Sequence, residues 1–521
     1  MIWRSLLVAV LIGLLPGLGY AQDDTMVFNP VRVQEDPEAE ADLREAIKAY
    51  KKDDFLRASL LLHRIVARNE TAVGPYEQKA EYYLGKTLYR LGLYQASLNF
   101  FDRVAQTGPD HRYFRTTCKW LYYLSRKISG DPGLLEKIAK FKPQECPAEF
   151  RSELAFLLGQ YHYKRGAVRT GLEHLKQVNK KSSYFPKAKF LEGISHVRLD
   201  KPAPAVAAFK DLLRTTLEAD ELTEDLRYFN QLAILSMARV FYSTRQFDKA
   251  AKYYDRIPLD SVLWLDALFE SSWTHYMSQN HEKALGNLHT LNSPFFKDEY
   301  MPESKILEAV TFFSKCSYNK SEAALLGFDV SYRDLLKEVR GYVDSFSEPS
   351  ELYQFLGKLQ DGGSRISPRV GQILKAAFAD KTLKRMNAYI RELDRETKLI
   401  SDSKSQWAKS QLANTIIQDT EVIKSLAVHE AGLLARKRLK RVVSELDELF
   451  NQHDRIGFEI KEAERQGLQG KLRGDNSPRK RKRKGSIYAT DEEHIYWPFR
   501  GEFWRDELGY YLYTIKSECG R

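Results

Sequence analysis

Apolar residues recur three and four positions apart along most of this chain, the spacing that lines one face of an α-helix. Short polar or glycine-containing breaks divide the pattern into successive pairs of segments. Aligned on one small residue in the first segment of each pair, the chain shows Ala46, Gly85, Gly159, Gly193, Ala238, Ser272 and Ala309, at steps of 39, 74, 34, 45, 34 and 37 residues. The 74-residue step is twice 37, so a degenerate unit is expected between Cys118 and Phe141, where WLYYLSRKI and LLEKIAKF read as two apolar helices. Nine positions after the small residue a bend is expected. Phe55, Tyr94, Phe247 and Tyr318 put an aromatic there, whereas Val168, Pro202 and His281 do not. Another small residue follows three positions later at Ala58, Gly171, Ala205, Ala250 and Ala284. A helix pair with one apolar face cannot bury it alone, so neighbouring pairs stack into a superhelical array with a concave surface. The pattern predicts about eight such units over residues 43–330.

Beyond Phe328 the repeat fades. Turn-rich segments at Ser345–Ser350 and Asp361–Ser364 frame short connecting helices over 331–366, and a long helical hairpin or coiled coil is expected over 367–469. Leu439, Val442, Leu446, Leu449, His453, Ile456, Ile460 and Ala463 alternate at steps of three and four, which makes a heptad seam. Ser401–Ser405 places the hairpin turn, since Ser and Asp favour turns and helix starts. A second heptad at Met386, Leu393, Ile400 and Trp407 runs through that turn, so one kinked helix is the alternative. The seam could cap the array, reach a partner or form a homodimer.

The segment from Tyr82, YYLGKTLYRLGLYQASLNFFDRVAQTGPDH, carries Leu84-Gly85, Leu88, Gly92, Tyr94, Phe101 and Pro109. This resembles the tetratricopeptide repeat family, with Ser97 standing where that family prefers alanine. The resemblance implies an all-α superhelix whose role is protein binding, with small residues at helix crossings. On it, Gly85→Leu should be damaging and Lys86→Ala harmless. His162, His196 and His275 share one repeat position and read as packing residues.

The N-terminus has one charge, Arg4, an apolar run from Leu6 to Leu15 and small residues at Gly19 and Ala21. A run of about ten residues is too short to span a bilayer and reads as a signal peptide over 1–21, cleaved near Ala21. With no cysteine near that point, a lipoprotein is not expected, and the mature protein should be periplasmic. The net charge of +11 is unevenly placed. Residues 22–42 form an acidic leader at −6, while the linker over 470–486 stands at +7 and contains Arg479, Lys480, Arg481, Lys482, Arg483 and Lys484. In an exported chain that run points to an anionic surface and away from nucleic acid. The last segment, 487–521, is rich in aromatics and is expected to dock on the array or the long helices through Trp497, Phe499, Phe503 and Trp504. Its WPFRGEFWRDELGYY stretch is similar to the ending of exported tetratricopeptide proteins of gliding and predatory bacteria.

Candidate chemistry is sparse. His429-Glu430 begins an HExxH pattern, but Leu433 stands where the second zinc ligand belongs. Cys118, Cys146, Cys316 and Cys519 contain no CxxC. Cys118 and Cys146 could bridge or remain two buried thiols. No phosphate loop or nucleophile motif is present, so no catalytic residue, metal or cofactor is expected. The sequence therefore predicts a non-enzymatic interaction scaffold in a bacterial envelope assembly, of gliding-motility type through its tail. A charge-based adaptor for cell-wall or membrane polymers is the alternative, with a cell-wall enzyme third.

Overall fold

In a computed structural model the chain is described over residues 37–519, apart from 69–73, 129, 132, 143, 145, 219–220, 298, 361–369, 372, 375–380, 404 and 473–498. Residues 1–21, read as a signal peptide, the basic run Arg479–Lys484 and Trp497 lie outside the described residues. Among those described there is no strand. Eight helix pairs follow one another: α1 Pro37–Lys51 with α2 Phe55–Arg68, α3 Pro75–Arg90 with α4 Tyr94–Thr107, α5 Phe114–Lys127 with α6 Leu134–Ile138, and α7 Arg151–Lys164 with α8 Val168–Leu175. They continue as α9 Phe185–Arg198 with α10 Pro202–Leu217, α11 Glu224–Ser243 with α12 Phe247–Tyr254, α13 Trp264–Met277 with α14 His281–Leu291, and α15 Pro302–Phe313 with α16 Tyr318–Ser345. Then come α17 Pro349–Gln360, α18 Lys381–Ser401 and α19 Gln411–Leu472. The first helix begins inside the stretch read as an acidic leader, and α16 runs on past residue 330. The short α5–α6 pair is the degenerate unit.

Each aligned bend residue, from Phe55 to Tyr318, is the first residue of a second helix. Two positions before it the backbone turns left-handed at Asp53, Gly92, Gly166, Asp200, Arg245, Gln279 and Cys316, with φ between 55 and 82°. The turn is closed by an amide reaching back five residues, as from Leu93 to the Leu88 carbonyl at 2.9 Å and from Gln246 to Phe241 at 2.8 Å. Only two of the seven turns use glycine, the residue that adopts this conformation without a Cβ penalty. Arg245→Gly should therefore stabilise the protein by about 0.5–1 kcal/mol. A thermal midpoint that stays level or falls would show that Arg245 earns its place through side-chain contacts.

At the helix crossings the small residues are required sterically. A Cβ on Gly85 would stand 3.0 Å from the fully buried Phe101, and one on Gly159 would stand 2.6 Å from Leu175. A Cβ on Gly193 would overlap Phe209 outright. Ala46, Ala238, Ser272 and Ala309 are fully buried at the equivalent places. Ser97, the departure from the family pattern, donates its hydroxyl to the Gly85 carbonyl at 2.7 Å, and Ser321 does the same to Ala309 at 2.8 Å. Of the bend aromatics, Phe55, Tyr94, Phe247 and Tyr318 are all half-buried.

The hairpin forms, with α18 and α19 packed together and the turn at the predicted serines. At 62 residues α19 is about 93 Å long. Its seam packs within the chain: Leu439, Val442, Leu446, Leu449, Ile456 and Ile460 are buried in one cluster with Phe328, Leu335 and Val339 of α16 and Leu352 and Leu356 of α17.

Candidate interaction surfaces

Three features decide which surfaces are free: a brace, a strap and a face of rings and cations. The brace is the hairpin. Near its turn, Trp407 is 5% exposed and donates from Nε1 to the Ser59 hydroxyl of α2 at 2.8 Å. Ile400, Leu412 and Ile416 join it in a cluster with Leu62 and Leu88 of the first two pairs. The other end of α19 lies on α15 and α16. The hairpin thus ties the beginning of the array to its end, while the clusters of α9–α14 form without it.

Within the brace, Glu396 is 0% exposed and accepts the Gln95 amide in the first turn of α4 at 2.7 Å, while Tyr389 donates to the Gln95 side chain at 2.8 Å. Burial pushes the Glu396 carboxyl up to about 8, overriding the Gln95 and Ala96 amides that favour the carboxylate. The folded protein then holds a proton that the unfolded chain, at about 4.5, releases. This contribution to stability is complete below pH 4.5 and is lost as pH rises through 8. Glu396→Gln should melt like the parent at acid pH and above it at alkaline pH. A constant difference across the range would show that Glu396 does not titrate there.

The strap is the tail, which docks on the array. It makes a turn over residues 505–510 and then continues without helix or strand past α14 to the α15–α16 turn. Gly509 donates to Thr290 Oγ1 at 3.0 Å and accepts from Lys283 Nζ at 2.7 Å. The Tyr513 amide donates to the Glu282 carbonyl at 3.0 Å, and the Glu518 amide to Lys315 at 2.8 Å. Cys519 is disulfide-bonded to Cys316, with 5.0 Å between the Cα atoms, and Cys118 is bonded to Cys146 at 5.7 Å.

Of the expected anchors, Phe499 and Phe503 meet the array, and Trp504 stands apart. Trp504 is 58% exposed and Phe499 45% exposed, whereas Leu508 is buried. Phe499, Phe503 and Tyr511 gather around the His289 ring at 4.5, 4.8 and 5.2 Å.

The third feature lies on the first helices of the first three pairs. Lys86 Nζ stands 4.9 Å from the Tyr50 ring, 5.6 Å from Tyr82, 4.3 Å from Tyr83 and 5.7 Å from Trp120. Burial holds its ammonium below the usual lysine range, and no ion pair to it is found among the described residues. Beyond it Tyr89 and Tyr123 continue the rings, with Lys119 over Tyr123 and Phe150, and Arg126 over Tyr122. Lys86 is therefore a centre of packing, against the sequence expectation that its loss is harmless. Lys86→Ala should cost about 1–2 kcal/mol through lost cation–π and stem contacts, and Lys86→Met should recover the stem's share. A melting point unchanged by Lys86→Ala would return it to the status of a surface residue.

Sequence reasoning missed the 316–519 bridge, the Lys86 cluster and the Glu396 contact. The half-exposed aromatics were visible in the sequence, but their convergence from three helices was not. His429 and Glu430 are exposed on α19, and no cluster of three metal-ligating side chains is found among the described residues.

These features define a tetratricopeptide-like helical-repeat array closed by a C-terminal hairpin. What makes it so is the repeat geometry: a small residue at each crossing, a left-handed turn seven positions on, and a large buried residue on the second helix. No protein-family model matches the sequence, and no curated protein matches it. Among solved structures it is similar to a tetratricopeptide repeat protein from Parabacteroides merdae, at 12% identity over 57% of this chain and 94% of that one, TM-score 0.24. It is also similar to the apo form of RapI, at 11% identity over 77% and 98%, TM-score 0.31. PilF of Pseudomonas aeruginosa matches at 11% identity over 57% and 93%, TM-score 0.20.

Proposed function

We propose that this chain is an exported, non-enzymatic protein-interaction scaffold in a bacterial cell-envelope assembly, with a motility machine as the assembly its tail suggests. The observation that carries the reading is the face of rings and cations across α1, α3 and α5. It is half-exposed, and its central cation has no ion pair among the described residues, a surface suited to a protein segment bearing carboxylates and flat apolar groups. Export is supported by the leader over 1–21 and by two disulfides, which persist in oxidising compartments. A homodimer through the long helices has less support, since the seam is already covered by α16 and α17.

A second reading, an adaptor for anionic polymers, draws on a cavity of about 500 Å³ at the first helix, where Lys48, Lys51, Lys52, Lys79 and Arg44, the last paired with Glu40, surround Leu43, Ile47 and Tyr76. The basic run Arg479–Lys484 would add to it.

Crosslinking of a tagged copy in cells, with mass spectrometry of what it carries, tests both readings. The scaffold reading expects a defined set of envelope proteins that is lost in a Tyr83→Ala/Trp120→Ala variant, and a mature N-terminus near Gln22. Recovery of acidic polymer alone, released by salt, would favour the adaptor. A chain retaining residues 1–21 would sink export.

A further inference from the structure

The tail lies in a groove that is shaped for it. Gly286 faces the tail from the middle of α14, and a Cβ there would overlap the Tyr511 carbonyl. Gly509 adopts φ +87°, and a Cβ on it would stand 3.0 Å from the Trp264 ring. Lys283 takes the carbonyl of Gly509 and Thr290 its amide. Two residues on, Tyr511 reaches His289, and two further on Tyr513 packs on Phe312 at 5.6 Å and meets Lys320. The groove therefore selects a turn that carries leucine and glycine, followed by aromatics at alternate positions, the Leu508-Gly509-x-Tyr511-x-Tyr513 of this chain.

We propose that this groove is a peptide-docking site that the tail of a second copy can fill in place of the chain's own, so that two copies exchange residues 499–519. Every contact in the groove is made by the tail itself, and none depends on the tail belonging to the same body. Residues 473–498 join the tail to α19, and at the extended limit they reach roughly 90 Å, so exchange requires no helix to unfold. Each copy carries one groove and one ligand. Reciprocal exchange therefore closes into a two-fold pair with both grooves filled and no open-ended growth. In such a pair Cys519 of each copy bonds to Cys316 of the other, two covalent links across the interface.

The disulfide supplies the test. Mature protein carrying Cys316→Ser is mixed with protein carrying Cys519→Ser, and oxidised glutathione is added. It takes up the two electrons and protons of the Cys316 and Cys519 thiols and leaves as two reduced glutathiones. Neither variant can form the bridge within itself, so exchange predicts a covalent heterodimer on a non-reducing gel, well above that given by either variant alone. Adding Gly509→Val to the copy that keeps Cys519 should reduce the heterodimer at least about tenfold, the effect of roughly 1.4 kcal/mol. That change lies in the tail, so it does not disturb the body. A synthetic peptide of residues 505–519 with serine at position 519 should compete. Absence of the heterodimer at high protein concentration would show that the tail docks only on its own body. A heterodimer indifferent to Gly509→Val and to the peptide would be a collision of free thiols. Either outcome overturns the proposal.

Discussion

Trp407→Ala should weaken the first two helix pairs by about 3–5 kcal/mol, the range for emptying a buried aromatic site. The indole fills the junction between the hairpin turn and the α2 side of the array, and its nitrogen bonds the Ser59 hydroxyl. Its loss leaves a cavity in the cluster that also holds Leu62, Leu88, Ile400 and Ile416, and loosens the brace at one end. Repeat arrays unfold in parts, so amide hydrogen exchange is the suitable readout. Protection should fall in α1–α4 and in α18, and remain in α9–α12, whose clusters the hairpin does not enter. Uniform loss of protection, or none, would show that the hairpin does not hold the array's beginning.

The second large effect is expected at Gly85. Gly85→Leu drives a branched side chain into Phe101, which is fully buried and already stacked on Trp120 with ring centroids 5.7 Å apart. Overpacking of this kind typically costs about 1–3 kcal/mol. The upper end is expected because the displaced ring is fully buried between Tyr82 and Trp120 and the Ser97–Gly85 hydrogen bond lies at the same crossing. Guanidinium denaturation followed by circular dichroism should show an earlier first transition. An unshifted transition would mean that the two helices can separate at little cost.

Much of the architecture could be read from the sequence because its information is local. The bend position, nine residues after each small one, marked the first residue of a second helix even at Val168, Pro202 and His281, where the aromatic is missing. The reason is that a turn of fixed length sets the register whatever side chain fills the bend. The seam of α19 was equally legible, but its partner was not. A heptad pattern states that a face is buried and leaves open whether α16 or another copy buries it. The tail shows the same division. Its many aromatics indicated docking, yet Trp504 points to solvent while Leu508 and Gly509 join Phe499, Phe503 and Tyr511 as anchors. A glycine's fit against Trp264 is a tertiary fact with no trace in spacing. Cys316 and Cys519, 203 residues apart, and Glu396 and Gln95, 301 apart, lie beyond any local pattern for the same reason.

Fastening both ends of the array has a mechanical consequence. An open stack of helix pairs behaves as a soft spring that lengthens and twists as each junction gives slightly, and many such stacks change pitch when they take hold of a target. Here the hairpin acts as a tie rod across the coil. Pulling the two ends apart must strip α19 from α15 and α16, or free Trp407 from α2 and Glu396 and Tyr389 from α4, before the array can stretch end to end. Resistance to tension is then set by the hairpin's contacts with α2 and α4 at one end and with α15 and α16 at the other, and not by the repeat junctions alone.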